Sequence, residues 1–254
     1  MEVLLKRSIR ETILKDYSFA SILHYFGVRF SDHLDMSLGE LCEKHNINID
    51  LLMKHIDSTS VNRETSMVQL KNYPMQMLID YLIQAHYLFV KVRLPYIASL
   101  IKHHEFPGLS KADLEDLRYL FDMFAMDFIQ HVREEEDEMF EHITKLIEAD
   151  QDPKFSALSL HQLINSYSIQ DEAIEHAAPN EDMRFIRELN DKYIHTLQKE
   201  SGTSLELHVL FSEMKSFEKD LSHHARIENE ILFPRAVKLE KKMQAKLKLL
   251  VAQN

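Results

Sequence analysis

Only four glycines and six prolines punctuate this chain of 254 residues. Each reversal in a sheet protein needs a turn, and turns draw on Gly and Pro for backbone angles that other residues avoid. A chain so poor in both can reverse direction only a few times. It must fold from long helices with few connections, and the expected class is all-α. At 45% hydrophobic and 28% charged, it can bury a real core. Its length suits one large domain, or a small domain joined to a larger one.

The net charge of −11 repels phosphate backbones and anionic lipid surfaces, which argues against nucleic acid and membrane as partners. The single cysteine, Cys42, cannot form an intrachain disulfide and fits a reducing compartment. Met1 to Arg10 carries Glu2 and lacks the long apolar run of a signal peptide. No stretch approaches the roughly 18 uncharged apolar residues of a membrane span. The expected location is the cytoplasm.

Along the chain, residues 1–57 read as a small helical leading domain. Tyr17 to Phe26 has apolar residues at helical spacing, and Gly27 stops it. Ser37 with Glu40 three residues later has the form of a capping box. A polar, aperiodic linker follows, placed at 58–72. From residue 73 to 254 four long helical segments are expected, at about 74–104, 110–148, 158–199 and 203–250. Pro107-Gly108, Asp152-Pro153 and Ser201-Gly202 separate them, and Pro179 interrupts the third. Four such helices with short connections make an antiparallel four-helix bundle.

Within it, two segments repeat. His131-Val-Arg-Glu-Glu135 continues to Phe140, and His224-Ala-Arg-Ile-Glu228 continues to Phe233. Each has Glu four residues after His and Phe nine residues after it. Each also has Arg two residues after His, at Arg133 and Arg226. This suggests two helical hairpins related by duplication. Residues four apart share a helix face, so each His and Glu can reach one metal ion together. Two such pairs on facing helices bring two imidazoles and two carboxylates to one point. Each carboxylate has two oxygens and can bridge two metals, which favours iron over other ions that imidazole and carboxylate suit. The first helix of each hairpin should add a further ligand. His176 lies 48 residues before His224, and His86 lies 45 before His131. Tyr87 competes with His86 for the first position.

These residues resemble a known family. His224-x-x-x-Glu228-Asn-x-x-Leu-Phe-Pro-Arg-Ala236 is very similar to the last motif of the repair-of-iron-centres di-iron proteins, a branch of the hemerythrin-like superfamily. His131-x-x-x-Glu135-Glu136 resembles the middle motif, and Glu175-His176 the third. Leu94-Pro95 follows the first ligand segment, as in the family. The leading domain is similar too, with Phe26-Gly27 and Leu38-x-Glu-Leu-Cys42, although the family's Cys-Cys pair is absent from Val28 to His33. The resemblance implies two non-haem iron ions, oxo- and carboxylate-bridged, on His131, Glu135, His176, His224 and Glu228. Counting back from Leu94-Pro95 places the first ligand on Tyr87, one residue after His86. It also implies a role in protecting or repairing iron-sulfur clusters under nitrosative or oxidative stress. Nitric oxide or dioxygen would bind at the iron, with reduction of nitric oxide or donation of iron as the activity. Iron-sulfur proteins would be partners, and a homodimer is compatible with it. A hemerythrin-like sensing or interaction module without turnover is the alternative.

The remaining histidines have ordinary expected places. His103 and His104 end a helix, where they can meet its last carbonyls. His223 points about 100° away from its neighbour His224. His208 is expected either in the core or as a hydrogen-bond partner of the site, and His142 and His161 at the surface. Glu134, Glu136 and Glu138 are expected to be exposed, and Tyr17, Tyr25 and Tyr81 to pack in the core. There is no glycine-rich phosphate loop and no cysteine cluster for zinc or an iron-sulfur cluster.

Overall fold

The computed structural model describes residues 2–60, 67–104, 106, 109–177, 187, 191 and 204–252. They form an all-α protein. It divides into two compact units, one from Met1–Glu64, Arg93–Asp122 and Ile186–Glu218, the other from Thr65–Val92, Met123–Phe185 and Lys219–Asn254. No helix among the described residues is long and apolar enough to cross a membrane.

The first unit opens with α1 (Glu2–Leu5), α2 (Ile9–Lys15), α3 (Ser18–Tyr25), α4 (Leu38–Lys44) and α5 (Ile49–Ser60). The expected capping box closes: Ser37 Oγ accepts from Glu40 N–H, and Glu40 returns a carboxylate to the Ser37 backbone. Ser8 caps α2 in the same way, accepting from Glu11 N–H at 3.2 Å. The two capped ends are tied together, Ile9 N–H to Met36 O and Leu38 N–H to Arg7 O. Gly27 ends α3 at φ 76°. Its N–H reaches His24 O while Val28 N–H reaches Leu23 O, the paired bonds of a Schellman cap. Asn46, at φ 53°, closes α4 with the same pair of bonds, from Ile47 to Cys42 and from Asn46 to Glu43. Cys42 is buried, as expected, and Tyr25 is not: it lies 66% exposed, with its ring against His55 and Phe26. Further along this unit, α8 (Leu94–His103) ends with His103 and His104 bonded through Nδ1 to the carbonyls of Ser99 and Leu100.

The second unit holds α6 (Met67–Leu70) and α7 (Met75–Leu88), the end of α9 (Lys111–Glu134), then α10 (Glu141–Gln151), α11 (Ala157–Ser166) and α12 (Ile169–Ala177). It also takes the end of α13 (Leu205–Ile227) and all of α14 (Phe233–Ala252). Helix α14 packs on α10, α11 and α12. Their core includes Phe140, Ile143, Leu146, Ile231, Leu232, Phe233 and Met243. Polar fasteners set the alignment. Lys246 Nζ donates to Ala149 O at the end of α10, and Arg235 donates to Tyr73 O just before α7.

The third expected segment, 158–199, is not one helix. Tyr167 is extended, at φ −157° and ψ 149°, and separates α11 from α12. The break is stabilised locally: Ser168 Oγ accepts from Asp171 N–H, and the buried Glu240 carboxylate accepts from Ile169 N–H. Such side-chain acceptors compete with continuing the helix. Pro179, Pro107-Gly108 and Ser201-Gly202 lie outside the described residues.

Candidate metal centre

Among the described residues, three turns open from the α to the π pattern, at Phe89–Arg93, Glu135–Phe140 and Glu228–Leu232. A π turn carries one residue more than an α turn and is common at functional sites. Two of them begin on the repeated glutamates, and the third follows His86 by three residues. Between Leu94-Pro95 and the first ligand position, the extra residue moves the inward face back by one. His86 is buried, and Tyr87 is 57% exposed. It is therefore His86, not Tyr87, that meets the other motif residues.

Six side chains converge in the second unit. His86 and His224 bring their Nε2 atoms to 2.9 Å of each other. Glu135 Oε2 lies 3.2 Å from His86 Nε2, and Glu228 Oε1 lies 3.0 Å from His224 Nε2. On the other side, Glu135 Oε1 lies 3.1 Å from both His131 Nε2 and His176 Nε2, and Glu228 Oε2 lies 3.4 Å from His176 Nε2. Donor atoms of His86, Glu135, His224 and Glu228 all fall within 4.8 Å of one another, and so do those of His131, Glu135 and His176. Glu135 belongs to both groups, and Glu228 also turns one oxygen toward each. Each group takes residues from both repeats' parts of the chain: His86 and His131 with Glu135 from the first, His176 and His224 with Glu228 from the second.

Around the six, the repeat continues. His86 Nδ1 meets Glu136 Oε1 at 2.9 Å, and His176 Nδ1 meets Asn229 Oδ1 at 3.4 Å. Glu136 and Asn229 are matching positions, each one residue after its repeat glutamate. Phe140 stacks on His86 at 5.7 Å, and its counterpart Phe233 lies 5.1 Å from His176. Glu136 was expected at the surface. Only the π turn brings position 136 inward beside position 135. Glu134 and Glu138 are exposed, as expected. The repeated arginines, Arg133 and Arg226, lie at the surface, Arg226 paired with Glu230.

The electrostatics follow from burial and contact. Burial alone would drive the His86 and His176 rings to lose their protons, but contact with Glu135 and the charge of Glu228 outweigh it and raise both. Burial alone would protonate Glu135, yet His131, His176 and His86 hold its carboxyl well below the usual range. An ionised carboxylate is thus fixed at the middle of the cluster, surrounded by ring nitrogens.

The donor set fits a metal better than it fits a closed hydrogen-bond network. Glu228 Oε1 is buried and makes no hydrogen bond, although His224 Nε2 is only 3.0 Å away. The two atoms are close but badly angled for each other. Atoms aimed at a shared third point have this relation, and imidazole with carboxylate is a set that iron, manganese and zinc accept. Buried His/Glu groups of this kind can hold metal ions.

A recess of about 480 Å³ adjoins the site, lined by Ala173, Asn229, Phe233, Pro234 and Val237. Two of these residues, Asn229 and Phe233, touch His176. His131, at 30% side-chain exposure, is the least buried of the six.

Other histidines take structural places. His142, expected at the surface, is buried with its ring 5.2 Å from Tyr167. The break before α12 leaves Tyr167 free to cover it. His208 bonds Ser204 O and stacks on Tyr17, and His161 is exposed. His223 is half-buried, and its Nε2 makes no hydrogen bond.

No family model and no curated protein matches this chain.

Proposed function

We propose that this chain is a non-haem di-iron protein that protects or repairs iron-sulfur clusters under nitrosative or oxidative stress. In this reading a leading helical domain, 1–57, is joined by a linker, 58–72, to a hemerythrin-like antiparallel four-helix bundle over 73–254. The observation that carries it is the double sharing of Glu135 and Glu228 between two histidine pairs. A single-ion site has no use for two carboxylates that each face both ways; a two-metal carboxylate site in a helical bundle requires them.

His86 and His224 would hold one ion, His131 and His176 the other, with Glu135 and Glu228 common to both. Bound iron would supply open coordination positions for a diatomic such as nitric oxide or dioxygen. Glu136 and Asn229 would orient the rings of His86 and His176, as partners of ligating imidazoles do. The recess is walled by Ala173, Phe233, Pro234 and Val237 with Asn229 as its polar side chain; it has no charged residue and suits a small neutral molecule. The implied activities are reduction of nitric oxide and donation of iron to a damaged cluster protein.

The test is anaerobic reconstitution with ferrous iron, followed by nitric oxide. The expected result is about two irons per chain, as bundles with two bridging carboxylates bind, and a change in the iron spectrum on adding nitric oxide. Zinc or no metal in the freshly purified protein, or an iron spectrum indifferent to nitric oxide, would overturn the reading.

A sensing or interaction module without turnover is the second reading. The absence of a thiol between Val28 and His33 favours it, because thiol-dependent redox or metal transfer then has no residue in that stretch, and the leading domain's one thiol, Cys42, is buried. Formation of nitrous oxide, or recovery of a damaged cluster enzyme, separates the two.

A further inference from the structure

Away from the centre, the leading domain holds a second pair of facing imidazoles. His33 ends the short 3₁₀ turn Phe30–His33, and His45 caps the C-terminus of α4. Their backbones are fixed: Met36 N–H bonds His33 O, and His45 N–H bonds Leu41 O. Their Nε2 atoms stand 3.1 Å apart. Their ring centroids are 4.9 Å apart, with the planes at 67°.

These distances say where the nitrogens point. A head-on pair would separate its centroids by 3.1 Å plus a ring radius at each end, and that exceeds 4.9 Å. At least one ring is therefore tilted away from the line that joins the nitrogens, which stand within hydrogen-bond reach of each other and leave room for an ion beside them. At the ~2.0–2.1 Å length of a metal–imidazole bond, nitrogens 3.1 Å apart subtend about 100° at one ion, between the square-planar and tetrahedral angles. The His86–His224 pair at the bundle centre has nearly the same form, with 2.9 Å between nitrogens and 4.6 Å between centroids. Partial burial, first, and the charge of Lys44 lower the pKa of His33 against the opposing charge of Asp32, which favours the neutral ring that a metal needs. Asp32, next to His33 in sequence, is paired with Arg29 at 3.1 Å, and His45 is exposed, so water completes the coordination.

We propose that His33 and His45 form a separate, exchangeable binding site for one divalent ion of the zinc, nickel and copper class. The nitrogen donors select that class over calcium and magnesium, which take oxygen ligands. Two histidines and water hold the ion loosely. The site does not depend on how the bundle centre is read.

The test uses the full-length, iron-loaded protein dialysed against micromolar Zn²⁺, with zinc and iron both quantified. Wild type takes up one zinc per chain while its iron content stays constant. His33→Gln and His45→Gln each weaken that uptake at least about ten-fold, as loss of one of two ligands requires. His103→Gln, a surface histidine elsewhere, leaves it unchanged. Thermal melting of all three variants follows wild type, which shows that they fold. The proposal is overturned if wild type binds no zinc in this range, or if the His33 and His45 variants bind it like wild type. It is equally overturned if zinc enters only as iron leaves, because the ion would then be going to the bundle centre.

Discussion

Glu136 and Asn229 reach the rings of His86 and His176 at their far nitrogens, and so decide which way those rings face. Glu136→Ala leaves His86 free to turn and removes the charge that makes it a better donor. Metal affinity should fall about 10–100-fold, the usual cost of losing such a partner. Competition against a chelator would measure it, and an unchanged affinity would refute the role. Asn229→Ala, across a longer contact, should cost less. The motif glutamates and histidines were legible because an interval of four keeps two side chains on one helix face, and because the interval occurs twice. Glu136 was not, because in an α-helix the position after Glu135 points about 100° away, and only an opened turn brings it in. His142 was misread for a related reason: Tyr167 covers it, and a break at Tyr167 has no Pro or Gly to announce it. Its burial, first, and Lys145, second, hold its ring below the ordinary pKa of 6.5. The fold therefore favours the neutral ring. The stability this contributes is full above pH 6.5 and is lost as pH falls below it. His142→Gln should thus unfold less readily in acid than wild type, relative to its own stability at neutral pH. Equal acid sensitivity in denaturant melts of both proteins would contradict this.

At the scale of elements, caps were written plainly in the sequence and π turns were not. The capping box at Ser37 and the stop at Gly27 form as the residue types dictate, since a hydroxyl or a left-handed glycine has few other uses at those places. Gly27 offers a clean measurement. A Cβ there would meet nothing within 4 Å, so strain of the backbone at φ +76° is the whole penalty. Gly27→Ala should cost about 1–2 kcal/mol, read from the denaturant midpoint, and a neutral result would mean that the α3 cap does not govern stability. The π turns carry no such signature, because no residue type prefers them. Their importance can be tested by removing one. Asp137 is exposed and lies inside Glu135–Phe140. Its deletion lets the turn close to the α pattern, and because a π turn carries one residue more than an α turn, the helices on either side keep their faces. His131 and Glu135 stay in the site, and Met139, Phe140 and Ile143 stay in the core, but position 136 no longer lies inward beside position 135 and leaves the His86 ring. The expected variant keeps its helical content by circular dichroism and binds metal more weakly, as Glu136→Ala does. A folded variant with unchanged metal affinity would show that the opened turn is incidental.

For the molecule as a whole, the question is whether the centre holds the second unit together or the unit holds the centre. Small zinc domains unfold when their ion is removed, because they have little other core. Here the core of the second unit, from Leu78 and Leu82 through Phe140 and Leu146 to Ile231 and Met243, is built from residues that donate nothing to the site. That core should persist without metal. What remains in the stripped protein is a buried carboxylate shared by three imidazoles, held by protons on those rings instead of by ions. Bound metal should therefore raise stability by mass action on a fold that already exists. An ion present at about 1,000 times its Kd adds about 4 kcal/mol. Thermal melts of iron-loaded protein and of the same protein after chelation should show a lower midpoint for the stripped form, with its helical signal intact at room temperature. Coincident melting curves would mean that the six side chains hold no metal in the native state. Loss of the helical signal on chelation would mean instead that the hydrophobic core cannot stand alone.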